Sequence, residues 1–210
     1  MKRTRVKICG ITRLADAKRA VQLGADALGF VFVPASARYI DPQDAREIVL
    51  QVPPFVSCVG LFLDAGRKEI EAALAAVPDL LPQFHGRESA DECESYGRAY
   101  LKAIGVANGL PSRAELDGFA RASGFLLDSN VPGELGGTGH VFDWQQLGME
   151  LGKPLVLAGG LNADNVGTAI RDVAPFALDV SSGVESAKGI KNADAMQAFM
   201  AAVAAADQHT

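Results

Sequence analysis

Eight short apolar runs punctuate the chain, and none shows strict alternation of hydrophobic and polar positions. They cover residues 6–11, 27–33, 55–63, 80–84, 99–104, 124–128, 154–158 and 176–180. Each is rich in β-branched or aromatic residues, the pattern of parallel strands covered on both faces. The segments between them carry apolar residues at helical spacing. Ala15, Ala17, Ala20, Val21 and Leu23 mark the first, with Thr12 at the cap position and Gly24 where a left-handed C-cap belongs. Asp41 and Pro42 supply a cap and first-turn proline for the next, which runs over Ala45, Ile48 and Val49. Further helices are predicted at 66–77, 89–98, 111–122, 143–150, 162–172 and 191–206, the last nearly solid with Ala, Met, Phe and Val on one side.

Strand starts recur at an average of about 24 residues, which suits a tightly trimmed βαβ unit. Eight such units fill the chain. A doubly wound sheet needs only five or six, and its Gly-x-Gly-x-x-Gly after the first strand is absent, since Cys9-Gly10-Ile11 stands there. The pattern therefore predicts an α/β protein, a single (β/α)8 TIM barrel spanning residues 1–210. No linker, charge block or low-complexity stretch divides it.

Composition narrows the function classes. With 49% hydrophobic and 21% charged residues the chain is ordinary globular material, and disorder is excluded for most of its length. The formal charge of -5 has the wrong sign for a protein whose main partner is nucleic acid. Cys9, Cys58 and Cys93 have no paired short spacing, so neither a disulfide framework nor a zinc knuckle is suggested, and a reducing compartment fits best. The charged opening resembles the start of a signal peptide, but Arg13, Asp16, Lys18 and Arg19 interrupt the apolar stretch that would follow. No apolar stretch reaches the ~20 residues that span a bilayer. A soluble, cytoplasmic protein with no membrane partner is the expectation.

A barrel of this kind carries its chemistry at the C-terminal ends of its strands, often with a phosphate site in the loops after strands seven and eight. Those ends present Lys7 and Cys9, then Arg38, then Gln83 and His85, then Asp128, then Gly159-Gly160, and finally Asp179 with Ser181-Ser182-Gly183. Each has a plain structural reading beside a functional one. Cys9 is either a small buried hydrophobe or a thiol facing the cavity, where Lys7, two residues back on the same strand face, would favour a thiolate. Asp128 caps a helix, forms a salt bridge, or moves a proton, and no predicted helix start lies close after it. Arg38 makes a salt bridge or clamps a substrate carboxylate with its planar fork. His85 satisfies a loop carbonyl or takes part in proton transfer. The two glycine-bearing loops are tight turns, or a cradle whose N–H groups and Ser hydroxyls hold phosphate beside a helix starting at Asn162. Cys58 and Cys93 take the structural reading.

Read in order, these residues resemble the phosphoribosylanthranilate isomerase family of tryptophan biosynthesis. Lys7-Ile-Cys-Gly-Ile-Thr12 is similar to its opening motif, and residues 27–32 with Ser36-Ala-Arg-Tyr-Ile40 to its second unit. Gln83-Phe-His-Gly86, Leu126-Leu-Asp-Ser129, Gly136-Gly-Thr-Gly139 with Phe142-Asp-Trp144, Leu157-Ala-Gly-Gly-Leu-Asn162 and residues 178–185 continue it, so that the resemblance covers roughly residues 6 to 200. The resemblance implies a cofactor-free, metal-free Amadori rearrangement of a small phosphoribosyl substrate by a monomer or homodimer. It implies Asp128 as general acid, Cys9 as general base, and Arg38 on the substrate carboxylate. Gly159, Gly160, Ser181, Ser182 and Gly183 would hold phosphate, with Lys7, Gln83, His85 and Asp179 lining the pocket. Two positions depart from the family pattern. Gly105 stands where an arginine is common, and the loop at 185–191 lacks the usual Pro-Gly, which leaves the last helix start open. The related histidine-pathway isomerase uses a strand-one aspartate, and Cys9 argues against it. A non-catalytic phosphosugar-binding barrel would need the pocket but neither Cys9 nor Asp128. The glycine-rich 133–139 segment reads as a candidate lid.

Overall fold

The computed structural model describes residues 3–107, 109–129 and 151–208. Eight strands form one closed parallel sheet in chain order: β1 (Arg5–Cys9), β2 (Ala27–Val31), β3 (Ser57–Phe62), β4 (Leu81–Phe84), β5 (Leu101–Gly105), β6 (Gly124–Asp128), β7 (Leu155–Leu157) and β8 (Ala177–Val180). Closure leaves this sheet no free edge, because β1 pairs with both β2 and β8. The register sets Cys9 opposite Gly29, Lys7 opposite Asp179, and Gly105 opposite Asp128.

The absence of alternation in the sequence has a simple cause: both faces of each strand are buried. Outward side chains such as Val6, Ile8, Leu28, Phe84, Phe125, Leu127 and Leu178 join the large cluster that packs the strands against the helices. The inward face divides in two. Ala103, Leu126, Val156, Ala158 and Ala177 form a small apolar plug, while Cys9 packs with Val31 and Val33 nearer the mouth. The two-residue period then places Lys7 with Cys9, Gln83 with His85, Leu126 with Asp128, and Ala177 with Asp179 on the inside.

Helices alternate with the strands: α1 (Leu14–Gln22), α2 (Pro42–Val49), α3 (Arg67–Ala76), α4 (Ala90–Glu94), α5 (Arg113–Gly118), α6 (Val166–Val173) and α7 (Ala193–Asp207). The predicted stretch 143–150 and the glycine-rich 133–139 segment lie outside the described residues. Asp41 caps α2 by accepting from the Gln43 N–H, with Pro42 in the first turn, as the sequence predicts. Gly24 takes φ +90° as the C-terminal stop of α1. Thr12 does not cap α1. Its hydroxyl donates to the Gly189 carbonyl, and Arg13 occupies the cap position without a side-chain capping bond. Segments 89–98 and 111–122 shrink to the single capping-box turns of α4 and α5, headed by Ser89 and Ser112. Residue Phe55, predicted at the head of a strand, is instead fully exposed at φ 72°.

The loop after β8, whose departure from the family pattern left the last helix undetermined, folds into a 3-10 turn (Ser182–Val184) and an antiparallel hairpin of β9 (Glu185–Ala187) and β10 (Ile190–Lys191). The Asn192 side chain then caps α7 by accepting from the Ala195 N–H. At the other end of α7, the Asp207 carboxylate accepts from the Thr4 N–H at 2.9 Å and from its hydroxyl at 2.6 Å, so the two ends of the described chain are tied together. Among the described residues no helix is long and apolar enough to cross a membrane.

Cys58 on β3 and Cys93 on α4 are buried, as their structural reading requires. Burial pushes their thiols up from 9.0, to about 11 and about 12 respectively. Between the unfolded and folded values the folded chain holds more protons than the unfolded one, so stability falls as pH rises through that window. The melting temperature is expected to drop between pH 9 and pH 11. A Cys58→Ala, Cys93→Ala double variant should lose less over the same range, as differential scanning calorimetry would record.

Candidate active site

A lysine ammonium is expensive to bury unless its donors are met. Lys7, 4% exposed at the centre of the barrel, donates from Nζ to Gln83 Oε1 at 2.9 Å and lies 3.0 Å from Asp179 Oδ1. The Asp179 contact is an ion pair between two buried groups, and no other described residue donates a hydrogen bond to this oxygen. Burial works against the Lys7 charge, but Asp179 and Cys9 outweigh it and the ammonium is held above its usual range. From Gln83 the polar chain continues. Gln83 Nε2 lies 3.0 Å from His85 Nδ1, and His85 Nε2 lies 3.5 Å from Asp128 Oδ2. Strand ends that are far apart in sequence are thus joined across the mouth by Asp179, Lys7, Gln83, His85 and Asp128.

Cys9 stands beside this chain. A Cβ on Gly29 would come within 2.7 Å of the Cys9 sulfur and 2.9 Å of Lys7 Cε, so only glycine on β2 leaves the two side chains room. The expected thiolate is not favoured here. Burial first, then the negative charge of Asp179, push the Cys9 thiol up, and the opposing pull of Lys7 and Lys191 is smaller. Spacing along β1 pairs Lys7 with Cys9 alone and does not reveal that Asp179 shares it. Gly10, at φ +77°, turns the chain out of β1, and a side chain there would press on Arg38 Cδ at 2.6 Å.

Arg38 lies beyond β2 and meets the hairpin. Its Nε and one terminal nitrogen donate to the two Glu185 oxygens at 2.9 and 2.8 Å, a two-pronged pair that is nearly buried on both sides. Lys191 reaches the same carboxylate at 2.8 Å, and donates to the Ser181 carbonyl as well. Although burial alone would raise Glu185, these bonds to Arg38 and Lys191 keep it below the ordinary carboxylate range. Glu185 and Lys191 are charged neighbours of Arg38 to which the sequence reading gives no role. Their only signal is one carboxylate and two lysines within a loop of seven residues.

The loops after β7 and β8 do meet. A Cβ on Gly183 would collide with the Leu161 carbonyl oxygen, and one on Gly159, at φ +87°, with Ser129. Gly159, Gly160, Ser181, Ser182 and Gly183 therefore lie in two interlocked turns at one side of the mouth. Helix α6 begins at Val166 rather than Asn162, yet Asn162 organises the turn before it: its side-chain oxygen accepts from the Asp164 and Asn165 N–H groups, and its carbonyl takes the first helical bond from Val166. Among the described residues no group of three His, Cys, Asp or Glu side chains is placed to hold a metal ion.

The family model described as N-(5'phosphoribosyl)anthranilate (PRA) isomerase matches residues 6–202. An N-(5'-phosphoribosyl)anthranilate isomerase of Pseudomonas putida is 53% identical over 203 residues, covering 97% of this chain and 98% of its own. The chain belongs to the N-(5'-phosphoribosyl)anthranilate isomerase family. It is accordingly an isomerase, and the eight-stranded barrel is the family's own architecture. The phosphoribosyl anthranilate isomerase of Thermotoga maritima superposes with a TM-score of 0.86 at 41% identity, over 96% of this chain and 99% of that one. Another solved phosphoribosyl anthranilate isomerase, 38% identical with a TM-score of 0.80 over 96% of this chain and 99% of its own, holds reduced 1-(o-carboxyphenylamino)-1-deoxyribulose 5-phosphate.

Replacing Lys7 by Met would leave the buried Asp179 carboxylate without its cation. The expected loss is about 3–5 kcal/mol of folding stability, read as a lowered urea midpoint at neutral pH.

Proposed function

We propose that this isomerase carries out the Amadori rearrangement of N-(5'-phosphoribosyl)anthranilate to 1-(2-carboxyphenylamino)-1-deoxyribulose 5-phosphate, as a step of tryptophan biosynthesis in the cytoplasm. The observation that carries the reading is the placing of a thiol and a carboxyl, Cys9 and Asp128, on inward strand ends of one barrel mouth beside two interlocked glycine turns. An acid and a base held apart in this way suit the two ends of one sugar.

Asp128 gives a proton to the furanose ring oxygen as the C1–O bond breaks and the nitrogen lone pair forms an iminium. Cys9 takes the proton from C2, the C–H electrons become the C1–C2 double bond, and the iminium charge is quenched. The resulting enol tautomerises to the ketone. A thiol pushed up by burial and Asp179 is a stronger base once ionised, and the positive nitrogen of the opened substrate supplies the field that favours ionisation. Lys7 keeps the local charge balanced, since with Asp179 it forms a neutral pair beside the sulfur.

Arg38 is the residue for the anthranilate carboxylate. Its fork is already aligned by Glu185, so the guanidinium is fixed at the mouth before substrate enters. The Gly159-Gly160 and Ser181-Ser182-Gly183 turns take the phosphate through backbone N–H groups and hydroxyls, at the place where barrels of this type hold it. Gly105, where an arginine is common in the family, leaves this work to Arg38.

Loss of phosphoribosylanthranilate fluorescence on adding the purified chain tests the reading directly. Cys9→Ala and Asp128→Asn are each expected to lower kcat about 100- to 10,000-fold with KM little changed. Arg38→Met should act chiefly on KM. No fluorescence loss with the wild-type chain would overturn the proposal.

A further inference from the structure

His85 carries an assignable proton. An ammonium group can only donate, so the Gln83 atom that Lys7 Nζ reaches at 2.9 Å must be the amide oxygen. That fixes the other end of the amide. The NH2 group is turned to His85 Nδ1 at 3.0 Å, and since an amide nitrogen donates and does not accept, Nδ1 must receive this bond with its lone pair. A neutral imidazole with a bare Nδ1 bears its hydrogen on Nε2, and Nε2 is the nitrogen that faces Asp128 Oδ2 at 3.5 Å.

We infer that Gln83 is a positioning residue for the isomerisation: its amide, oriented by Lys7, selects the Nε2–H tautomer of His85 and so keeps an N–H directed at the Asp128 carboxyl. The inference rests on the reading of Asp128 as the acid. Its consequence falls after the first proton transfer, when Asp128 becomes a carboxylate in a mouth where it is 6% exposed. The hydrogen on Nε2, the ring nitrogen 3.5 Å from Oδ2, can close on the carboxylate and stabilise that new charge. The opposite tautomer would present a bare nitrogen to the carboxylate. Because Lys7 also stands against Asp179 and near Cys9, the cation beside the base is the one that sets the proton beside the acid.

Long-range proton–nitrogen NMR on histidine labelled with nitrogen-15 reads the tautomer directly. The chain has three histidines, and the signal that disappears in His85→Asn identifies the one concerned. The wild-type protein is expected to show His85 protonated on Nε2 and bare on Nδ1. In Gln83→Glu the donor is replaced by an acceptor, so Nδ1 should gain a proton, and kcat should fall about tenfold or more with KM changed far less. Gln83→Leu, which offers neither donor nor acceptor, should give a mixture of tautomers and an intermediate kcat. A wild-type His85 protonated on Nδ1 would overturn the inference, and so would Gln83→Glu with an unaltered ring and an unaltered kcat. The wild-type spectrum decides the proton's position even where a variant does not fold. Absence of wild-type turnover, by contrast, strikes the proposed reaction and leaves the tautomer reading to the spectrum.

Discussion

A cation enclosed by a barrel cannot be left to water, and the ammonium of Lys7 imposes this condition on the whole interior. It needs oxygen acceptors from other strands, and β4 and β8 supply them through Gln83 and Asp179. Those two residues are thereby held in one orientation each. Room for the arrangement comes from Gly29 on the neighbouring strand, where any side chain would drive into Lys7 and Cys9. Two groups at the mouth are set by this polar crossing: the thiol of Cys9 through the charges around it, and the ring of His85 through the amide of Gln83.

A second ring of charge lies outside the first. Arg38, Glu185 and Lys191 tie the loop after β2 to the hairpin after β8, and Thr12 fastens the loop after β1 to the same hairpin through Gly189. Asp16 adds to the lock by accepting from the Lys191 backbone N–H while pairing with Arg13. The mouth therefore has a stiff side, built from the first, second and eighth loops. Opposite it, Lys102 and Glu88 do similar work below the surface, joining β5 to the turn after β4 with a buried ion pair at 2.8 Å and fixing the Gly86 carbonyl that follows His85.

Much of this could be read from the residues in order. Burial on both faces erases alternation, and that erasure at eight sites is what revealed the parallel strands. The inward period of two then picked out Cys9, Gln83, His85, Asp128 and Asp179, because each lies at or next to the end of an apolar run. What escaped was pairing. The sequence joined Lys7 to Cys9, its neighbour two places along, whereas in space the stronger bonds of Lys7 go to residues 76 and 172 positions away. The pairings of Glu185 with Lys191 and of Glu88 with Lys102 escape for the same reason, since nothing local tells which of the charged side chains will be buried against one another. Helix lengths were overstated at 89–98 and 111–122, where Gly97 at φ 65° and Gly118 stop turns whose apolar residues continue as loop.

The bonds between Thr4 and Asp207 bring the beginning and the end of the described chain to the same place, under the barrel and away from the strand ends that carry Cys9 and Asp128. A closed sheet has no first strand in any energetic sense, for β1 is as fully paired as β5. Where the polypeptide is cut is then a matter of genetics rather than of architecture. A chain rejoined between Thr4 and Asp207 and opened in another surface loop below the strands would present the same circle of eight strands, and a neighbouring domain attached at that junction would hang clear of substrate entering from above.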